Sequence, residues 1–136
     1  MIGKRVVAHG VDLIEVARVA ELLESQGERF LERCFDPGEV AYADANPARR
    51  VEHLAVRFAA KEAVMKCLGT GWGQGVGWRD IVVTRDASGR PGVSVSGGAG
   101  EHANRLAIGG WLLSLSHTET MAMASAIALG VDPPRD

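Results

Sequence analysis

Two acidic residues of this 136-residue sequence lie where the surrounding pattern calls for apolar side chains. Asp12 interrupts the largely apolar run from Val6 to Ile14, and Glu62 falls within the apolar stripe of a predicted helix. The stripe consists of Val51, Leu54, Ala55 and Phe58. An unpaired buried carboxylate is costly or becomes protonated, so each residue needs a cation, either a neighbouring Lys or Arg or a metal ion.

Both residues also have ordinary structural interpretations. Glu62 and Lys66 form a favourable i, i+4 pair, worth about 0.2 to 0.5 kcal/mol when exposed. Asp12 and Glu15 have the spacing of a capping box that opens a helix. If Asp12 and Glu62 instead converge, two carboxylates with no other partner suit Mg²⁺, which completes its shell with waters and substrate phosphates. The alternatives at this point are two local contacts or a diphosphate site.

Positive charge concentrates in one segment of a chain whose net charge is −2. The segment from Arg49 to Lys66 holds five basic and two acidic residues, so the rest of the chain is more acidic than the average indicates. Arg57 and Lys61 lie at i, i+4, where like charges repel unless an anion lies between them. A local cationic strip on an acidic protein suits a nucleotide better than a long duplex. A solvated helix face is the common alternative.

His117 ends a predicted strand and shares a face with Trp111, Leu113 and Leu115, the usual setting of a core histidine. The nearby Ser114 does not indicate a hydrolase, because adjacent strand residues point to opposite faces and the sequence has no GxSxG elbow. The glycine-rich segment 69–77 lacks GK[ST] and follows a helix, so it does not indicate a P-loop.

The elements that position these residues follow from periodicity and capping signals. We predict strands at 5–11, 79–84, 92–96, 111–117 and 121–129, and helices at 15–26, 28–34, 36–45, 49–68 and 97–107. Gly27 and Gly69 end two of the helices, and Asp36 caps another. This order favours an α+β fold, in which an antiparallel sheet packs against one long helix and several shorter helices.

Composition restricts the class of protein. With 46% hydrophobic and 24% charged residues, the sequence predicts a single globular domain over residues 1–136, frayed from about residue 131. No apolar run approaches the roughly 20 residues that cross a bilayer, and residues 1–14 do not resemble an export signal, so we expect a cytoplasmic protein without a membrane partner. The net charge argues against general nucleic-acid binding. Cys34 and Cys67 are expected to be reduced and structural.

Four segments, in order and spacing, resemble the holo-acyl-carrier-protein synthase family, the small type of 4′-phosphopantetheinyl transferase. The resemblance extends from about residue 5 to residue 129. The four segments are Gly10-Val-Asp12-Leu-Ile-Glu-Val-Ala-Arg18, Arg57-Phe-Ala-Ala-Lys61-Glu62-Ala-Val-Met-Lys66, Gly69-Thr-Gly71 and Ser114-Leu-Ser116-His117-Thr118. The lysine-rich helix with the downstream Ser-His segment is the most specific part.

The resemblance implies transfer of the 4′-phosphopantetheine arm of coenzyme A to a serine of apo acyl carrier protein, as in fatty-acid biosynthesis. It also implies a homotrimer. By this resemblance Asp12 and Glu62 are magnesium ligands, Arg18 faces the carrier protein, and the remaining positions bind coenzyme A or act in catalysis. The coenzyme positions are Arg49, Arg50, Arg57, Lys61, Lys66, His117 and Thr118, and the catalytic positions are Glu62, Lys66 and His117.

Two other functions stay open at the level of sequence. A non-catalytic module that binds coenzyme A or a carrier protein has no evident need for all of Asp12, Glu62 and Lys66. A purely structural oligomer is expected to use these charges only as surface pairs. Within the transferase interpretation the general base also stays open, among metal-bound hydroxide, Glu62 and a water held near His117.

Overall fold

The computed structural model describes residues 2–131, apart from the side chains of residues 2–4. The strands are β1 (Ile2–Glu15), β2 (Ile81–Arg85), β3 (Pro91–Val95), β4 (Ile108–His117) and β5 (Met121–Val131). The helices are α1 (Val16–Gln26), α2 (Glu28–Cys34), α3 (Pro37–Asp44), α4 (Arg50–Leu68) and α5 (Gly97–Arg105). The frayed tail predicted from about residue 131 lies mostly outside the described residues. Within the described part, no helix is both long and apolar enough to cross a membrane.

The strands form two antiparallel units. Strand β5 lies between β1 and β4 in a three-stranded sheet, and β2 pairs with β3 in a separate hairpin. The two units and the packed helices confirm the predicted α+β fold with an antiparallel sheet and one long helix.

Helix α4 lies at the centre of the core and is buried on most of its surface. Its sheet-facing side meets four fully buried alanines of β5, whose small side chains allow a close approach; they are Ala122, Ala124, Ala126 and Ala128. On β1, a Cβ atom at Gly10 would lie 2.2 Å from the carbonyl oxygen of Ala63. Only glycine therefore fits where β1 crosses α4, and this crossing fixes the position of Asp12 two residues later.

Aromatic rings fill the space on the other side of α4. The Phe30 ring centroid lies 5.6 Å from that of Phe35 and 6.0 Å from that of Phe58. The Phe58 ring stacks on Trp78 at 4.5 Å, which ties the segment before β2 to α4. Helices α1 to α3 and the hairpin are thus packed around the same long helix that carries Glu62.

One predicted helix cap is present and the other is wrong. The Asp36 carboxylate accepts from the Gly38 amide at 2.9 Å, and Glu39 accepts from the Asp36 amide at 2.9 Å, as in a capping box. Asp12 caps no helix, because β1 continues to Glu15 and pairs with β5 throughout this stretch. The ladder with β5 satisfies the backbone groups that the predicted cap would have served.

The face of the sheet turned away from α4 exposes several large apolar side chains in a single chain, beside polar residues such as His9 and Ser125. Strand alternation turns Asp12 and Ile14 toward α4 and their neighbours outward. The large exposed apolar side chains on this outer face are Val11, Leu13, Leu112 and Met123. They come from all three strands and form one surface, because Leu13 pairs with Met123 in the ladder.

Candidate active site

Strand β1 and helix α4 bring Asp12, Glu62 and Lys66 together. The Lys66 ammonium donates to the Val11 carbonyl at 2.8 Å and to Oδ1 of Asp12 at 3.1 Å. Asp12 is 8% exposed, whereas the Lys66 side chain is 54% exposed. The lysine therefore reaches from the rim across a nearly buried carboxylate.

Glu62 lies beside Asp12 and is half-buried. Burial raises the pKa of Glu62, and the charge of Asp12 and a hydrogen bond with it raise this pKa further. The positive charges of Arg18 and Lys66 act in the opposite direction but do not cancel the increase. The two carboxylates thus share a partly buried site in which the charged form of Glu62 is disfavoured, first by burial and then by Asp12.

The chemistry of this pair fits a magnesium ion. Mg²⁺ is usually held by one or two carboxylates, and waters and substrate phosphates complete its octahedral shell. Among the described residues, no group of three or more His, Cys, Asp and Glu side chains could hold a metal, so an all-protein cage is not offered. Burial is the largest cause of the raised pKa of Glu62, and a cation bound between the carboxylates would oppose the further contribution from the charge of Asp12.

A cavity of about 710 Å³ opens beside Arg18, close enough for the arginine charge to act on Glu62. Its apolar wall includes Phe30, Phe58 and Trp78, and Trp72 of the glycine-rich segment lies at its edge with 71% of its surface exposed. The cavity is lined further by two basic and two acidic residues, namely Arg33, Arg79, Glu32 and Asp80. It combines an aromatic interior with a charged rim that holds three arginines and two carboxylates.

A second cavity, of about 440 Å³, collects three of the predicted coenzyme-binding residues, namely Arg49, His117 and Thr118. Glu52 also lines it and accepts from His117 Nδ1 at 2.8 Å, if that nitrogen carries the proton. Glu62 lies ten positions after Glu52 on α4, which corresponds to a rise of about 15 Å. Within one chain this separation argues against the prediction that His117 shares the catalytic chemistry of Glu62 and Lys66.

Arg57 lies in the interior, only 1% exposed. Its Nη1 donates to the His53 carbonyl at 3.1 Å, and its guanidinium lies 4.1 Å from the Tyr42 ring centroid. Its buried Nε has no hydrogen-bond partner among the residues that the structure describes. The guanidinium of Arg85 approaches the same ring at 4.8 Å. Burial and then the Arg85 charge lower the pKa of Arg57, so this interior position disfavours its charge. Arg57 lines a separate cavity of about 260 Å³.

The structure contradicts the prediction that Lys61 binds coenzyme A. Its side chain is fully buried, and its ammonium lies 2.8 Å from Oε1 of Glu39. The remaining donors face the carbonyls of Trp78 and Ile81. The predicted repulsion between Arg57 and Lys61 is relieved by this carboxylate of the protein rather than by a ligand.

Arg50 is also separated from the other predicted coenzyme residues. Its Nε donates to Oδ1 of Asp44 at 2.6 Å, and it lines a different surface cavity from Arg49. Arg49 and Arg50, although adjacent in the sequence, therefore point to two different places within one chain.

Sequence reasoning missed the partners of two predicted residues. The sequence pattern does not single out Glu39, and Glu52 is only one of two acidic residues in a basic segment. Each contacts a residue distant in the chain, Lys61 and His117 respectively, and no local spacing signals such a contact. Trp78 is similarly unremarkable in the sequence, although it lines the cavity beside Arg18.

Comparison with known proteins decides the family. The sequence model of the 4′-phosphopantetheinyl transferase superfamily matches residues 8–117. The chain belongs to this superfamily. It is 42% identical over 122 residues to the holo-[acyl-carrier-protein] synthase of Solibacter usitatus, a match that covers 90% of this chain and 97% of that protein.

Solved structures give the same result for this transferase chain. The holo-[acyl-carrier-protein] synthase of Neisseria meningitidis superimposes with a TM-score of 0.81 at 30% identity, over 91% of this chain and 98% of that one. The Helicobacter pylori holo-[acyl-carrier-protein] synthase in complex with coenzyme A superimposes with a TM-score of 0.77 at 26% identity, over 88% and 98% of the two chains. The predicted family and fold are confirmed.

Proposed function

We propose that this chain is a magnesium-dependent holo-acyl-carrier-protein synthase. It transfers the 4′-phosphopantetheine arm of coenzyme A to a serine hydroxyl of an apo acyl carrier protein and releases adenosine 3′,5′-bisphosphate. The observation that carries this proposal is the convergence of Asp12, Glu62 and Lys66 in a member of the transferase superfamily. Two carboxylates and a lysine at one place suit a reaction at a diphosphate.

In the transfer, the serine oxygen bonds to the phosphorus that carries the pantetheine, and the bond from this phosphorus to the oxygen of the adenosine bisphosphate breaks. Asp12 and Glu62 would hold the magnesium ion, which supplies charge neutralisation at the diphosphate when it is bound. Lys66 places its ammonium at the same rim and stabilises the negative charge that develops on the leaving group. The carboxylate of Glu62 is also available to accept the serine proton.

The rest of the coenzyme would lie along residues at the start of α4. Arg49, His117 and Thr118 share one cavity and offer a guanidinium, an imidazole and a hydroxyl to a phosphate monoester. Arg57 adds a buried guanidinium nearby in the fold, whose Nε has no partner within the described part of the chain. Arg50 faces another surface of the same chain and would serve only a neighbouring one.

The carrier protein would dock at the cavity beside Arg18. A carrier that is acidic around its serine matches the guanidinium of Arg18, and the aromatic wall with Phe58 and Trp78 accepts an apolar side chain. Because Arg18 acts on Glu62 through its charge, a partner bound here would present its serine close to the carboxylate pair.

The working form would be a homotrimer in the cytoplasm that serves fatty-acid synthesis. The outer sheet face supports self-association, because it exposes apolar side chains of three strands in a single chain. Replacement of Leu13 by aspartate is expected to convert the trimer to monomers, as measured by light scattering after size-exclusion chromatography.

The proposal is tested by incubating the protein with coenzyme A, Mg²⁺ and a panel of apo carrier proteins. We expect the mass of at least one carrier to rise by one phosphopantetheine, and we expect Glu62→Gln to abolish this gain while circular dichroism stays unchanged. If no carrier gains mass while coenzyme A binds tightly and independently of EDTA, the chain is a binding module and the proposal fails.

A further inference from the structure

A fully buried ion pair lies one residue away from the carboxylate site. The side chains of Lys61 and Glu39 are 0% and 1% exposed, and their charged atoms lie 2.8 Å apart. Lys61 belongs to the central part of α4, and Glu39 lies in the first turn of α3. The pair therefore joins the helix that carries Glu62 to a different layer of the fold.

Lys61 and Glu39 also form hydrogen bonds with backbone groups. The Lys61 ammonium donates to the Trp78 carbonyl at 3.2 Å and also to the Ile81 carbonyl. Glu39 accepts from the amide of Val83 at 2.9 Å and from the amide of Asp36 at 2.9 Å. Three elements, α3, α4 and the start of β2, are thus held by one ammonium and one carboxylate.

Stability alone does not account for such a pair. Burying two charges removes them from water, and replacing a buried ion pair by apolar residues of similar volume is often neutral or stabilising. Burial lowers the pKa of Lys61, which shows the same cost, while Glu39 opposes this decrease. An apolar pair would lack the directional hydrogen bonds of Lys61 and Glu39 to each other and to the backbone. These hydrogen bonds restrict rotation of α4 about its axis.

Rotation of α4 matters because the next residue is Glu62. Successive residues point about 100° apart, so Lys61 faces α3 while Glu62 faces Asp12 on β1. A carboxylate about 6 Å from the helix axis moves by about 1 Å when the helix turns by 10°. A misplacement of this size can reduce a rate by about 100-fold.

The same ammonium also contacts the wall of the cavity beside Arg18. It binds the carbonyl of Trp78, whose ring stacks on Phe58 at 4.5 Å and lines the cavity beside Arg18. The carboxylate site and this cavity wall consequently share one anchor, although Lys61 itself is inaccessible to any ligand.

We propose that Glu39 and Lys61 are positioning residues, which set the direction of Glu62 and the place of Trp78 through their buried contacts. This inference rests on the proposed transferase function. It predicts that the pair affects turnover more than the binding of coenzyme A, because Arg49 and His117, which are proposed to bind the coenzyme, lie near the start of α4 and away from Lys61.

The experiment uses the double variant Glu39→Gln/Lys61→Met, which removes both charges and leaves neither partner buried alone. At a temperature where circular dichroism shows full folding, kcat for phosphopantetheine transfer should fall at least about tenfold, while KM for coenzyme A should change less than about threefold. In a background with Trp72→Phe and Trp111→Phe, acrylamide quenching of the Trp78 fluorescence should increase at least about twofold.

Two controls separate positioning from stability. The exposed pair on α5 provides the double variant Glu101→Gln/Arg105→Met, which should change neither readout. Ile108→Ala destabilises the core at the start of β4, far along the chain from this pair, and should lower the melting temperature without the loss of kcat. If the Glu39 and Lys61 double variant does not fold, Lys61→Arg keeps the charge but not the fit, and a kcat reduction of at least about threefold is expected.

Unchanged kcat in the folded double variant, or unchanged quenching of Trp78, overturns the proposal. If Lys61→Arg has to decide and keeps the wild-type kcat, the proposal is overturned as well. Failure of the proposed function is a separate outcome, because it leaves the wild-type protein without transfer, and the quenching measurement still tests whether Lys61 anchors Trp78.

Discussion

Gly10→Ala should reduce the transfer rate by displacing the carboxylate site, although Gly10 itself is not one of the residues of that site. The added Cβ would lie 2.2 Å from the Ala63 carbonyl oxygen and 3.2 Å from Sγ of Cys67. Ordinary contact requires about 3.4 Å, and both clashing groups belong to the buried helix, so β1 must move away from α4 by about 1 Å. This movement separates Asp12 on β1 from Glu62 and Lys66 on α4.

The expected size of the effect follows from that displacement. A shift of about 1 Å in a reacting geometry costs about 100-fold in rate, equivalent to about 2.7 kcal/mol of transition-state stabilisation. Overpacking of this kind should also lower the free energy of unfolding by about 1 to 3 kcal/mol. The rate is measured by mass spectrometry of the carrier protein with saturating coenzyme A, and stability by urea denaturation.

Gly109→Ala provides the matched control. Its Cβ would lie 2.0 Å from Cγ2 of Val131, a side-chain atom near the end of β5 that can rotate away, in a region apart from the carboxylate site. We expect the control to keep most of its activity. A Gly10→Ala protein that transfers phosphopantetheine within twofold of the wild-type rate would show that the distance between β1 and α4 does not govern the reaction.

Three further predictions concern other parts of the site. Arg18→Glu should raise KM for the carrier at least about tenfold and leave KM for coenzyme A unchanged, as steady-state kinetics would show. Glu52→Ala should raise KM for coenzyme A by about tenfold with little change in kcat, because it removes only the partner of His117. Burial, then the charges of Arg57 and His117, lower the pKa of His53 from its usual 6.5, so the associated stability is present above pH 6.5 and is lost as the pH falls through the lowered pKa. His53→Gln should reduce this loss in urea denaturation between pH 7.5 and 5, and an identical pH profile would contradict the assignment.

The sequence predicted those features whose causes are local. Helix α4 ends where Gly69 adopts a left-handed conformation with φ of 75°, and the hairpin of β2 and β3 surrounds the expected turn. Asp12 and Glu62 were recognisable because each breaks an apolar pattern, and the structure places them side by side. A polar residue at a position that periodicity predicts to be buried can be recognised without knowledge of the tertiary fold.

The features that sequence reasoning predicted wrongly depend on partners from other elements. Lys61 was interpreted from the charges of its own helix, but its partner Glu39 lies 22 positions earlier on α3. Asp12 matched a local capping pattern, but pairing with β5 extends the strand and replaces the cap. In both cases a tertiary contact overrides a local preference, and the spacing of residues along the sequence does not indicate that contact.

The number of residues in helix α4 fixes the spacing of the site. Glu52 contacts His117 near the start of the helix, and Glu62 lies ten positions later at the carboxylate site. Ala63, the next residue, packs directly against β1. Inserting or deleting one residue between 52 and 62 would shift one end by about 1.5 Å and turn it by about 100° relative to the other. Side chains between residues 52 and 62 can therefore be exchanged, but an insertion or a deletion in this stretch would misalign the two parts of the site.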